Sequence, residues 1–192
     1  MRHRIFIAIN LPEDIKKKLA DYQAKWPELP IRWTKKENLH ITLMFLGYLA
    51  DEELLEVLKI TKEVASRQEP FSVNLIKICY GPPKKMPPRM VWVEGEKNEE
   101  LGKLQTDLEK NLLENSTPYR NEVPGAGRPY APHITLGRIR TWEFRQIEPE
   151  ERPIVDEDIS LNFEVNSLEV MESELKRGGP EYTVLESCPL KS

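Results

Sequence analysis

Cysteine, histidine and glycine are all scarce in this chain of 192 residues, at 2, 3 and 9 copies. Cys79 and Cys188 stand far apart and form no Cys-x-x-Cys clip, so a disulfide framework or a zinc ribbon has no basis and reduced thiols are expected. Long apolar runs are missing too. The stretch Ile5 to Ile9 is too short for a signal-peptide core, and no window approaches the ~18 apolar residues of a membrane span, so a cytoplasmic protein without a membrane partner is expected. What remains is ordinary for a folded chain: 31% charged and 39% hydrophobic residues, enough length for a real core without staples. A formal net charge of -4 argues against a nonspecific nucleic-acid coat. Charge is uneven along the chain, however. Acidic residues are absent from Pro70 to Val93, which carries Lys77, Lys84, Lys85 and Arg89, and from Val123 to Trp142, which carries Arg128, Arg138 and Arg140. A charge run is most simply a solvated face, but two acid-free segments keep an anionic ligand open.

Residues Arg4 to Ile9 alternate as a strand with both faces apolar, which predicts a buried strand. Pro12 suits a first helical turn, and Ile15, Leu19, Tyr22 and Trp26 follow as an amphipathic stripe that ends by Pro27. Strands are expected at Ile31 to Thr34 and Asn38 to Leu46, then a helix capped by Asp51 and carrying Leu54, Leu55, Leu58 and Val64. The second half opens with a strand from Phe71 to Tyr80. A loop with four prolines follows between Gly81 and Arg89, then a strand from Met90 to Glu94 and a helix striped by Leu101, Leu104, Leu108 and Leu112. Asn115 to Tyr130 reads as a long connection, Pro132 to Arg140 as a strand, and Ile159 to Met171 and Tyr182 to Leu185 as further strands.

Set side by side, the halves share an order: strand, amphipathic helix, then a strand opening with the same four residues, HITL, at His40 to Leu43 and His133 to Leu136. A repeated tetrapeptide alone is weak evidence. With only three histidines, the chance that any two share their next three residues is on the order of 10⁻³, so the repeat marks an internal duplication. The strand period of two projects His40 and Thr42 from one face and Ile41 and Leu43 from the other, and likewise His133 and Thr135 against Ile134 and Leu136. If the duplicated halves pack about a pseudo-twofold axis, two imidazoles and two hydroxyls face one another across a groove, a set that fits a phosphoryl group.

Two histidines of ordinary pKa, near ~6.5, can supply a neutral base and a charged acid together at neutral pH, as in-line displacement at phosphorus requires. No metal or other cofactor is then needed. Threonine hydroxyls can donate to nonbridging oxygens, and Arg138, five residues after His133, adds positive charge; Phe45 holds the same offset after His40. An odd offset puts both on the wrong face of an ideal strand, so they reach the site only past the strand end or through a bulge. A zinc site is the competing reading, but His-x-x-x-His spacing and nearby Cys are missing and threonine is a poor zinc ligand. His3 is read as a histidine with no catalytic role, and Trp26, Trp33 and Trp92 as core residues.

Two His-x-Thr-x blocks in duplicated halves resemble the 2H phosphoesterase superfamily. RIFIAIN, RWTKKENLHITLMFLG, PPRMVWV, PHITLGR and SEL with GGPEYTVL, in that order, look like its RNA 2',3'-cyclic phosphodiesterase branch, also called the bacterial and archaeal 2'-5' RNA ligase family. The resemblance spans nearly the whole chain and implies a single domain over residues 1–192. The implied fold is α+β, bilobal and duplicated, with two antiparallel sheets lining a central groove and helices packed outside. The implied activity is metal- and ATP-independent hydrolysis of a 2',3'-cyclic phosphate on RNA ends or nucleotides to a 2'-phosphomonoester, by a monomer, with reversible 2'-5' ligation in some members. His40 and His133 match the catalytic histidines, Thr42, Thr135 and Arg138 the phosphate contacts, and Phe45 the nucleoside pocket. The family's usual order has the second histidine activate water and the first protonate the departing 3'-oxygen. Tyr80 to Pro83, Glu94 and the Asn115 to Tyr130 connection depart from the family pattern near the expected groove rim, where substrate preference is set. A non-catalytic nucleotide or RNA-end binding module, and a phosphodiesterase for another nucleotide, are the alternatives.

Overall fold

The computed structural model describes residues 2–115, 130 and 132–191. Its elements run β1 (Arg2–Asn10), α1 (Glu13–Tyr22), β2 (Ile31–Trp33), β3 (His40–Ala50), α2 (Asp51–Ala65), β4 (Phe71–Gly81), β5 (Met90–Gly95), α3 (Glu99–Asn115), β6 (His133–Ile139), α4 (Thr141–Gln146), β7 (Asp156–Val165), β8 (Ser167–Lys176) and β9 (Gly179–Pro189). The α+β architecture is built on an antiparallel sheet in the order β7-β4-β5-β6-β3-β1-β8-β9, with β2 added alongside β6. That order divides into two four-stranded halves. β9, β8, β1 and β3 form one half-sheet and β7, β4, β5 and β6 the other, and the halves meet at a single recorded pair, Ile41 opposite Ile134. The expected two sheets are therefore two halves of one ladder, hinged where the repeated blocks touch.

The apolar pattern explains which face the helices cover. Ile5, Ile7 and Ile9 of β1 join Ile41, Leu43, Ile134 and Leu136 in the main core, where α1 contributes Ile15 and Leu19, α2 Val57 and Val64, and α3 its leucine stripe. Leu101, Leu104, Leu108 and Leu112 are fully buried, each contributing about 1.5–3 kcal/mol relative to an exposed side chain. Phe6 and Ala8, on the other face of β1, pack with Met171 in a separate small cluster. Both faces of β1 are thus covered, the second by the groove wall.

Several boundaries differ from the sequence reading for local reasons. Asp51 is the first residue of α2 rather than its cap. Ala50 caps it, its N–H donating to the Glu53 carboxylate at 2.6 Å. Ile159 to Met171 is two strands, β7 and β8, broken at Asn166, because both arms alternate alike and the break leaves no Gly or Pro. α4 lies in a segment whose six residues are too few to show helical period. The expected connection at 115–130 falls outside the described residues except at its ends. The phenol of Tyr130 donates to the Thr42 carbonyl at 2.9 Å.

Candidate active site

The repeated strands carry the site, and the same irregularity shapes both. On β3, Met44 pairs with Ile7 and Thr42 with Ala8, which leaves Leu43 extra. On β6, Gly137 pairs with Val91 and Thr135 with Trp92, which leaves Leu136 extra. Each bulge shifts the alternation by one residue, so Leu43 with Met44, and Leu136 with Gly137, turn together toward the core. Phe45 and Arg138 thereby come to the same face as the histidines and threonines. At Gly137 no side chain fits: a Cβ would lie 2.6 Å from Ile31 and 2.9 Å from Trp33 of β2.

One cavity of 570 Å³ receives His40, Thr42, His133 and Thr135, with Phe45 and Arg138 also in its wall. Extending the register of Ile41 with Ile134 by one residue each way turns His40 toward Thr135 and Thr42 toward His133. Arg4, Arg32 and Lys35 join Arg138 as lining cations, and no carboxylate is among the lining residues. An enclosed wall bearing only positive charge lowers the energy of a bound anion. The thioether of Met90, a weak acceptor, receives both the Thr135 hydroxyl at 3.9 Å and the Arg138 guanidinium at 3.7 Å.

His40 is held on all sides. Its Nδ1 lies 2.7 Å from the Asn38 carbonyl, which can only accept, so Nδ1 bears the proton. In the neutral ring Nε2 then accepts from the Thr42 hydroxyl at 2.9 Å. The rings of Phe6 and Tyr182 stand 5.0 and 5.3 Å away. Burial pushes the His40 pKa below its ordinary value; the Asn38 hydrogen bond opposes this, while the charges of Lys16 and His133 add to it. His133 itself stacks on the Trp92 indole, with centroids 4.1 Å apart and planes at 24°.

The three tryptophans read as core divide. Trp26 is core, its indole donating to the Ile154 carbonyl at 3.0 Å. Trp33 packs against the main core and also lines the cavity, while Trp92 packs on a histidine, so reading Trp92 as core is corrected: its strand is half-buried on the groove face, which period alone does not distinguish from the core face. Tyr80 also departs from expectation, because its hydroxyl donates to the Pro153 carbonyl at 2.6 Å and its ring meets Phe144, away from the groove. His3 is bound by Glu172 and Asp51 outside the cavity. Sequence reasoning missed Asn38, Arg4 and the β8–β9 turn, where Gly179 at φ 116° lets the Arg32 guanidinium approach within 2.0 Å of where a Cβ would stand. Among the described residues no group of three or more His, Cys, Asp or Glu is placed to hold a metal ion. No helix among them is long and apolar enough to cross a membrane.

Known proteins carry the same frame. The family profile described as LigT like Phosphoesterase matches residues 9–92. The RNA 2',3'-cyclic phosphodiesterase of Thermus thermophilus is 31% identical, with 98% of this chain and 90% of that one aligned, and that of Methanocaldococcus jannaschii 29% identical, with 95% and 98% aligned. The crystal structure of TT0787 of Thermus thermophilus superposes with a TM-score of 0.84 at 31% identity, covering 98% of each chain. That of E. coli LigT complexed with 3'-AMP superposes at 0.78 and 26% identity, covering both chains fully. With the paired HITL strands, the matching bulges and full-length relatives of this kind, the chain belongs to the LigT-like phosphoesterases of the 2H family.

Proposed function

We propose that the protein hydrolyses 2',3'-cyclic phosphate at RNA ends or on nucleotides, giving a 2'-phosphomonoester. The observation that carries this reading is the convergence of both His-x-Thr pairs on one cavity walled by cations, supported by relatives named RNA 2',3'-cyclic phosphodiesterase. A cyclic phosphate between the two strands has its nonbridging oxygens within the range of Thr42, Thr135 and Arg138, whose donors turn to it from Nε2 of His40 and from the weakly accepting Met90 thioether. His133 takes a proton from water as the water oxygen bonds to phosphorus. The bond from phosphorus to the ribose 3'-oxygen breaks, and His40 delivers a proton to that oxygen. The Asn38 carbonyl keeps Nδ1 of His40 protonated, so Nε2, on the cavity side with Thr42, is the atom that gains and loses the transferred proton.

Burial works against the charged form of His40 in the unliganded protein. A phosphate anion beside the ring favours the charged form, so substrate binding loads the acid. Phe45, Phe6 and Tyr182 form an aromatic wall next to His40, suited to the nucleoside. The test is turnover of a 2',3'-cyclic nucleotide in chelator, with the product identified as 2'- or 3'-phosphate. Formation of the 2'-phosphate supports the reading. Binding without turnover at any pH contradicts it and leaves a nucleotide-binding module.

A further inference from the structure

A second cavity, of 440 Å³, opens beyond the far end of β6, between the proline loop and α4. Lys84, Lys85, Arg89 and Arg145 line it, and no carboxylate is among its lining residues. Elsewhere lysines and arginines are commonly neutralised: Lys25, Lys62, Lys77 and Lys176 all pair with carboxylates. Among the described residues no such pair is recorded for the four cations here. The loop that presents two of them is shaped in advance. Its ends close through Arg89 N–H to the Gly81 carbonyl at 3.0 Å, Lys85 N–H donates to the Pro82 carbonyl at 3.3 Å, and four prolines restrict what lies between. Lys84 sits at φ 64°, a left-handed conformation that a lysine adopts only where its surroundings hold it.

The two cavities are adjacent. Arg138 lines the first and pairs in register with Met90, and the next residue back, Arg89, lines the second. Thr141, also in the second wall, is three residues beyond Arg138, so the backbone span between them is at most roughly 11 Å. A nucleic-acid strand carries one phosphate per ~3.4 Å of helix axis, which places the second cavity within reach of the next few phosphates once a terminal phosphate occupies the first.

We infer that the Lys84, Lys85, Arg89 and Arg145 cavity binds the phosphodiester backbone of single-stranded RNA 5' of the terminal nucleotide, making the protein selective for RNA ends over free cyclic nucleotides. This rests on the proposed activity for the choice of RNA as the anion. A free cyclic mononucleotide fills the first cavity alone, whereas an oligonucleotide reaches both. The site contributes affinity without base preference, and that affinity is salt-dependent.

The test compares the unaltered protein with a Lys84→Gln, Lys85→Gln, Arg145→Gln triple variant, using a 3'-phosphorylated RNA octamer for equilibrium binding and a 2',3'-cyclic mononucleotide for hydrolysis. The expected result is at least a tenfold loss of octamer affinity, and a log affinity against log salt slope shallower by roughly 2, at ~0.7 for each of three phosphate contacts. A Lys85→Arg variant, which keeps the charge, retains the octamer affinity. Unchanged octamer affinity and slope in the triple variant would overturn the inference, as would an equal loss on octamer and mononucleotide. Failure of the unaltered protein to turn over the mononucleotide would instead contradict the catalytic reading, while the octamer comparison still decides the second cavity.

Discussion

His40 and His133 hold equivalent positions in the two half-sheets, yet their surroundings are unlike. His40 is boxed by Phe6 and Tyr182 and tied to Asn38 and Thr42, while His133 lies on Trp92. Past identical bulges, the first half offers an aromatic ring at Phe45 and the second a guanidinium at Arg138. Duplication thus supplies two equal points of attachment, and the side chains packed around each ring differ: Phe6, Phe45 and Tyr182 gather on the His40 side, with the Arg4 guanidinium 4.9 Å over the Phe45 ring, and Trp92 lies under His133. A repeated backbone carries unlike side chains at two equivalent positions.

The largest expected effect removes the symmetry at its root. His40→Ala and His133→Ala each lower kcat by roughly 10²–10⁴, the range for loss of a positioned acid or base, measured on a 2',3'-cyclic nucleotide. Retained turnover in both would break the comparison. The next pair separates the halves. Arg138→Ala is expected to lower kcat by about 10²–10³, because its charge acts on the developing transition state. Phe45→Ala chiefly raises KM, by about tenfold, because a stacked base is worth about 1–3 kcal/mol. Equal effects on kcat from both would show that the two halves are not specialised.

Gly81→Ala tests the stack under His133. A Cβ there would lie 2.2 Å from the Trp92 ring, so the indole must shift, with about 1–3 kcal/mol of stability lost and kcat falling more than KM rises. Gly102→Ala, in α3 with open space around it, is expected to be neutral or stabilising by up to ~1 kcal/mol. A subtler effect follows from the lowered pKa of His40. As the acid, it must carry a proton, so the alkaline limb of kcat/KM, which reports the free enzyme, falls at lower pH than that of kcat, which reports the complex. The smallest effect is at His3, whose pKa is raised by hydrogen bonds to Glu172 and then Asp51. Its contribution to stability is fully present below its ordinary value and is lost as pH rises through the raised one. His3→Asn therefore lowers Tm at pH 5.5 but not at pH 9, with catalysis unaffected.

Much of this was legible in the chain because strand period and rare residues carry it. The HITL blocks located both strands that bring a histidine and a threonine to the cavity, the alternation of Ile5 to Ile9 showed a strand covered on both faces, and the leucine stripe of α3 lay at helical spacing. The bulges at Leu43 and Leu136 were implied only by the need to bring Phe45 and Arg138 to the groove, since nothing local marks an extra residue between apolar neighbours. Trp92 reads as core because a groove wall and a core present the same apolar surface to the sequence. Arg4, Asn38 and the turn before Tyr182 reach the cavity only through the pairing of β1 with β3 and β8, and no local pattern records that long-range closure.

The most direct test of two imidazoles serving one phosphorus atom is an NMR titration of the His40 and His133 ring protons, with and without a bound nucleoside 2'-phosphate. Both rings are predicted to titrate at higher pH when the phosphate is present, because one anion lies against both. A shift at one ring, with the other unmoved, would contradict the account.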